Sequence, residues 1–150
     1  MRFLISAVIL VVLDQISKLW IINNMTVGQS IVVIKGIFSI SYVQNKGAAF
    51  GIMQDKYWFF ILAALVVVTL ITYYNIKHSP SVAMQYLSGL IAGGAIGNLI
   101  DRLIYNSVVD FFSIGWWPVF NVADMGIVCG CIGLLIVLLF FDGGNFINAD

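Results

Sequence analysis

The chain has 150 residues, 61% of them hydrophobic and only 9% charged, and its seven acids, all aspartate, balance seven Lys and Arg to a net charge of zero. A mean hydropathy of +1.03 sets it apart from soluble domains. No basic run exists to meet a nucleic acid, so that class of partner is set aside.

Four apolar runs, 4–22, 57–74, 82–103 and 122–141, are each about 18–22 residues, enough to cross a ~30 Å hydrocarbon core as a helix. The expected fold is an all-α membrane protein of four transmembrane helices with a small β element, forming one domain over 1–150. The first run begins like a secretory leader, with Arg2 ahead of an apolar stretch. No small-residue cleavage site follows, and Asp14 and Lys18 interrupt its second half, so it reads as a retained span. Asp14 and Lys18 are four apart and share a helix face. They either form an ion pair that neutralises two costly residues, with Lys18 snorkelling as the other bland choice, or brace a site made by other helices.

The segment 29–52 is expected to be an extramembrane β element. Residues 30–34 are β-rich, Lys35-Gly36 has turn chemistry, and Phe38-Ser39-Ile40-Ser41-Tyr42 alternates with period two. This predicts an amphipathic hairpin at the membrane surface. Asn45-Lys46-Gly47-Ala48-Ala49-Phe50-Gly51 follows, its small residues permitting tight turns and close approach. Residues 75–81, with Pro80, form a short connection on the opposite side.

In the third run, Gly89, Gly93, Gly94 and Gly97 make a small-residue face for close helix packing. Asn98, Asp101 and Arg102 follow at helical spacing. The permanently charged Arg102, with five donors, requires carboxylates, carbonyls or headgroups. This cluster is either helix glue or support for a site. Trp116 and Trp117 suit the aromatic belt of the interface. The polar, Gly- and Asn-rich residues after 141 are expected to fray. Cys129 and Cys131 point to different helix faces, which argues against a disulfide, and apolar packing is expected for both.

Asp110 and Asp124 frame a 13-residue connection that sets both at one membrane surface. Asn121, three residues before Asp124, is a natural N-cap of the fourth helix. Ionised carboxylates near lipid are costly, so two together point to acid/base chemistry on something in the bilayer; solvated acids at a helix start are the plain alternative. His78, the one histidine, lies in the opposite connection, and ligands for zinc are lacking. No phosphate-cradling loop accompanies the acids, and no metal or other cofactor is expected. A proton-coupled carrier and a helix-packing subunit are the rival classes. Charge leaves orientation open, with Arg2 and Lys77 on one side against Lys35, Lys46 and Lys56 on the other.

Five blocks in order carry a resemblance: Asp14-Gln15-Ile16-Ser17-Lys18, Asn45 to Gly51 as above, Gly97-Asn98-Leu99-Ile100-Asp101-Arg102, Val108-Val109-Asp110-Phe111, and Phe120-Asn121-Val122-Ala123-Asp124. Together they resemble the bacterial lipoprotein signal peptidases (signal peptidase II). The resemblance implies an intramembrane aspartyl endopeptidase of the inner membrane, with cytoplasmic termini and its site near the outer surface. It would cut diacylglyceryl-modified prolipoproteins just before the lipidated Cys. On this resemblance Asp110 and Asp124 are the catalytic pair. Asp14, Lys18, Asn45, Gly47, Asn98, Asp101, Arg102 and Asn121 bind substrate or support the site. The hairpin cradles substrate, with 45–51 near a mobile cover. Expected partners are prolipoproteins and membrane lipids, around a monomeric chain.

Overall fold

A computed structural model describes residues 2–47 and 56–141. Each apolar run becomes a helix: α1 (Arg2–Asn24), α2 (Tyr57–His78), α3 (Val82–Tyr105) and α4 (Val122–Phe140). All four are long and apolar enough to span a membrane. The expectation of four spans therefore holds, with one notable shift of boundary. Helix α2 runs through Asn75 to His78, so the connection read as 75–81 shrinks to Ser79–Ser81. Asn75 joins the helix because its amide donates to Ile71 O at 2.9 Å and to Ser88 Oγ at 3.0 Å. Pro80 then stops it, and the Ser81 hydroxyl caps α3 by accepting from Met84 N–H.

Helix α3 is the hub, with α1, α4 and α2 all packed on it. Its glycine face is what lets them approach. A Cβ added at Gly93 would lie 2.7 Å from the Ala7 carbonyl oxygen of α1, closer than any side chain tolerates. By contrast α2 leans on α3 with none of its own residues buried. The outward faces of the helices carry exposed Leu, Ile, Val and Phe side chains, as lipid contact requires.

The β element is larger than the hairpin read from sequence. Strands β1 (Ser30–Ile34) and β2 (Phe38–Asn45) pair antiparallel across a turn in which Gly36 adopts φ +74°. A third strand, β3 (Val108–Ile114), was expected as connection; it pairs with β2 in the order β1-β2-β3, with Val43 opposite Asp110 and Asn45 opposite Val108. Ile21, Met25, Tyr42, Val109 and Phe111 form the core cluster that seats this sheet on the end of α1. A bridge from Phe112 within β3 to Phe120 brings the chain back to the start of α4. Trp116 and Trp117 stand exposed on that return.

Two smaller expectations change. Lys18 does not snorkel, being 2% exposed against its partners. Cys129 and Cys131 are unpaired, as expected, but lie on the outer surface of α4 instead of packing inside. Residues 48–51 of the proposed cover, and the tail after 141, fall outside the described residues.

Candidate active site

Asp110 and Asp124 reach one place from different elements. Asp110 is 2% exposed in β3. Asp124 stands in the first turn of α4, in a reciprocal cap: Asn121 Oδ1 accepts Asp124 N–H at 2.9 Å, and Asp124 Oδ2 accepts Asn121 N–H at 3.2 Å. The same Asn121 amide donates to Asp110 Oδ1 at 2.6 Å. One residue therefore ties the helix start to the strand that bears the other acid.

Two further side chains bond the pair directly. Asn45, at the end of β2, donates to Asp110 Oδ2 at 2.9 Å. Its amide is oriented by Gly47 N–H, which donates to Asn45 Oδ1 at 3.0 Å. On α3, Asn98 Nδ2 donates to Asp124 Oδ1 at 2.7 Å. Asn98 Oδ1 in turn accepts from Lys18 Nζ at 3.0 Å and from Asn121 Nδ2 at 3.1 Å, which settles which way that amide faces. Lys18 is held by Asp14 at 2.8 Å and Asp101 at 2.9 Å. Asp14 and Lys18 thus form the expected ion pair, and Lys18 also reaches Asn98, which bonds Asp124.

Burial raises Asp110 from its ordinary 3.8 to about 7, with the negative charge of nearby Asp124 pushing the same way. Donation from Asn45 and Asn121 opposes this without reversing it. Asp110 therefore holds its proton near neutrality.

Both acids line a cavity of about 470 Å³ between α2, α3 and α4, together with Asn45, Asn98 and Arg102. Below this polar end the walls are apolar, including Ala63, Ala64 and Val67 of α2 and Val128 of α4. Arg102 makes no salt bridge among the described residues. Its Nη1 donates to Asn98 O at 3.4 Å, and its guanidinium lies 4.9 Å over the Phe60 ring.

The structure thus joins all ten residues singled out from the sequence in one hydrogen-bonded network, of which Asn45, Gly47, Asn98, Arg102, Asp110 and Asp124 line the cavity. Two participants escaped that reading. Gln15 donates to Asp14, Asp101 and the Gly97 carbonyl, and its only sequence signal was its place between Asp14 and Lys18. Phe60 had no signal, since one more aromatic in an apolar span looks like lipid contact.

Comparison with known proteins follows the same lines. The family model for signal peptidase (SPase) II matches residues 6–141. A lipoprotein signal peptidase of Syntrophomonas wolfei is 48% identical over 143 residues, 95% of each chain. Another from Halothermothrix orenii is 42% identical, covering 89% of this chain and 92% of its own. A bacterial membrane enzyme solved by the in meso method at 2.3 Å superposes with a TM-score of 0.87 at 34% identity, over 99% of this chain and 93% of that one. A second, at 1.9 Å, gives 0.84 at 35% identity over 93% of both chains.

Proposed function

Since the chain belongs to the signal peptidase II family of bacterial membrane peptidases, we propose that it removes signal peptides from prolipoproteins by aspartyl chemistry at Asp110 and Asp124. The observation that carries this reading is that the two acids line one cavity and are joined through Asn121.

The protons follow from the surroundings. Asp110, carrying a proton up to about pH 7, donates it to the scissile carbonyl oxygen. Asp124, ringed by the Asn98 and Asn121 donors, is left as an acceptor and takes a proton from the attacking water. The water oxygen bonds to the carbonyl carbon, giving a tetrahedral diol. Asp124 then returns its proton to the leaving nitrogen as the C–N bond breaks, and Asp110 recovers its own. The products are a free carboxyl on the leader and a new amine on the mature chain. Two carboxyls sharing one proton suit this exchange because both cannot ionise cheaply side by side.

The apolar lower walls of the cavity favour a substrate whose diacylglyceryl chains lie in the bilayer while its peptide reaches the acids. Cleavage then falls just before the lipidated Cys. Anchoring in two dimensions supplies much of the positioning. The acids sit at the sheet end of the bundle, opposite the start of α1, and an exported precursor offers its lipidated Cys outside. Both termini are accordingly assigned to the cytoplasm.

The test is direct. Purified protein in detergent is incubated with a diacylglyceryl-modified precursor, and leader release is read as a mobility shift. The parent should cleave, whereas Asp110→Asn and Asp124→Asn should not while keeping the parent's unfolding temperature within a few degrees, as about 1 kcal/mol would shift it. Cleavage surviving in Asp124→Asn would remove that residue from the pair.

A further inference from the structure

The buried charges beneath the acids have a specific destination. Lys18 bridges Asp14 and Asp101, and no member of the trio is more than 2% exposed. Each carboxylate also accepts a backbone amide. Asp14 Oδ1 takes the N–H of Ala123 at 2.9 Å, the residue just before Asp124. Asp101 Oδ2 takes the N–H of Val109 at 2.9 Å, the residue just before Asp110. We propose that Asp14, Lys18 and Asp101 form a clamp that sets the separation of Asp110 and Asp124 by gripping the amide that precedes each. They are positioning residues, and the proposal rests on reading Asp110 and Asp124 as the reacting pair.

Neutralising Lys18 requires one carboxylate. The chain buries two, and each holds an amide next to an acid from a different element. The Ala123 N–H belongs to the first turn of α4, where no helical carbonyl is available to it. The Val109 N–H turns toward α3. Because Lys18 joins the two carboxylates, α4 and β3 are referenced to one ammonium. Lys18 also holds Asn98 Oδ1, so the Nδ2 of that amide faces Asp124.

The oxygens are used unequally, and this makes the clamp testable. Asp101 Oδ2 serves both Lys18 and Val109, while Oδ1 meets, among the described residues, only Gln15 Nε2 at 3.1 Å. In Asp101→Asn the amide oxygen can keep both contacts, and the new NH₂ gives up only the contact with Gln15, whose own NH₂ stays on Asp14 and the Gly97 carbonyl. Asp14 divides its work, Oδ1 to Ala123 and Oδ2 to Lys18. In Asp14→Asn one of those contacts must go. Simple charge neutralisation would make the two substitutions equivalent.

The experiment measures kcat, KM and pH profile on the diacylglyceryl precursor for the parent, Asp124→Asn and the clamp variants, with thermal unfolding in detergent alongside. Asp101→Asn should stay within about tenfold of the parent, and Asp14→Asn should lose about 10²-fold in kcat with KM little changed, the scale expected of a ~1 Å misplacement. The alkaline limb of Asp14→Asn should also move, because its position depends on how closely the two acids approach. Equal losses in the two Asn variants, or losses confined to KM, overturn the clamp. Should Asp14→Asn fail to fold, Asp101→Ala against Asp101→Asn carries the same contrast, and equal rates in that pair overturn the proposal. A parent that cleaves with Asp124→Asn silent upholds the reacting pair independently. An active Asp124→Asn removes that pair and the clamp with it.

Discussion

Asp110 is the residue on which the pH behaviour turns. Its proton is retained by the folded chain up to about pH 7, whereas an unfolded chain releases it near 3.8. If one shared proton is needed for cleavage, kcat/KM should fall as pH rises through about 7. Donation from Asn45 lowers the Asp110 value, so Asn45→Ala should move that alkaline limb to higher pH; a limb that stays put would assign it to another group. The same proton has a stability consequence. The folded state binds it more tightly, so stability should decline between pH 3.8 and about 7 and then level off. In Asp110→Asn that slope should flatten, as read from unfolding in detergent. Much of this site could be read from sequence, because carboxylates, amides and one Lys in so apolar a chain have few plausible uses. The grips on Val109 and Ala123 could not, since a backbone amide leaves no mark in the residue order.

The helices were legible because each is an apolar run of membrane length, broken at its ends by polar residues or Pro80. Strand β3 was not, and the cause lies in its burial. Val108, Val109, Asp110 and Phe111 are all buried, so the alternation that betrayed β2 is missing. Its short apolar run, set between the third and fourth spans, reads instead as connection. Asn75 misled in the opposite direction, a polar residue that reads as loop until Ser88 on α3 receives it. Two predictions belong to elements. Gly93→Leu drives side-chain atoms into the Ala7 backbone of α1 and should cost at least about 1–3 kcal/mol, seen as a lower unfolding temperature in detergent. Asn121→Ala should lose roughly 1 kcal/mol of capping and, because the same amide holds Asp110, should reduce kcat more than its loss of stability explains.

The bundle as a whole sorts its residues by depth and side. Polar chemistry collects at the sheet end, apolar walls continue the cavity toward the hydrocarbon, and α2 closes one flank without burying a residue. Ala63 and Ala64 keep that flank narrow in side chain and open in space. Ala63→Phe should therefore raise KM for the lipidated precursor with little change in kcat, and an unaltered KM would dissociate the cavity from lipid binding.

The four-residue spacing of Asp14 and Lys18 also bears on biogenesis. A helix carrying its own counter-ion can leave the translocon before α3 has been synthesised, because the opposite charges already face each other within a single turn. Asp101 arrives more than eighty residues afterwards, when the ammonium is already in the bilayer to receive it.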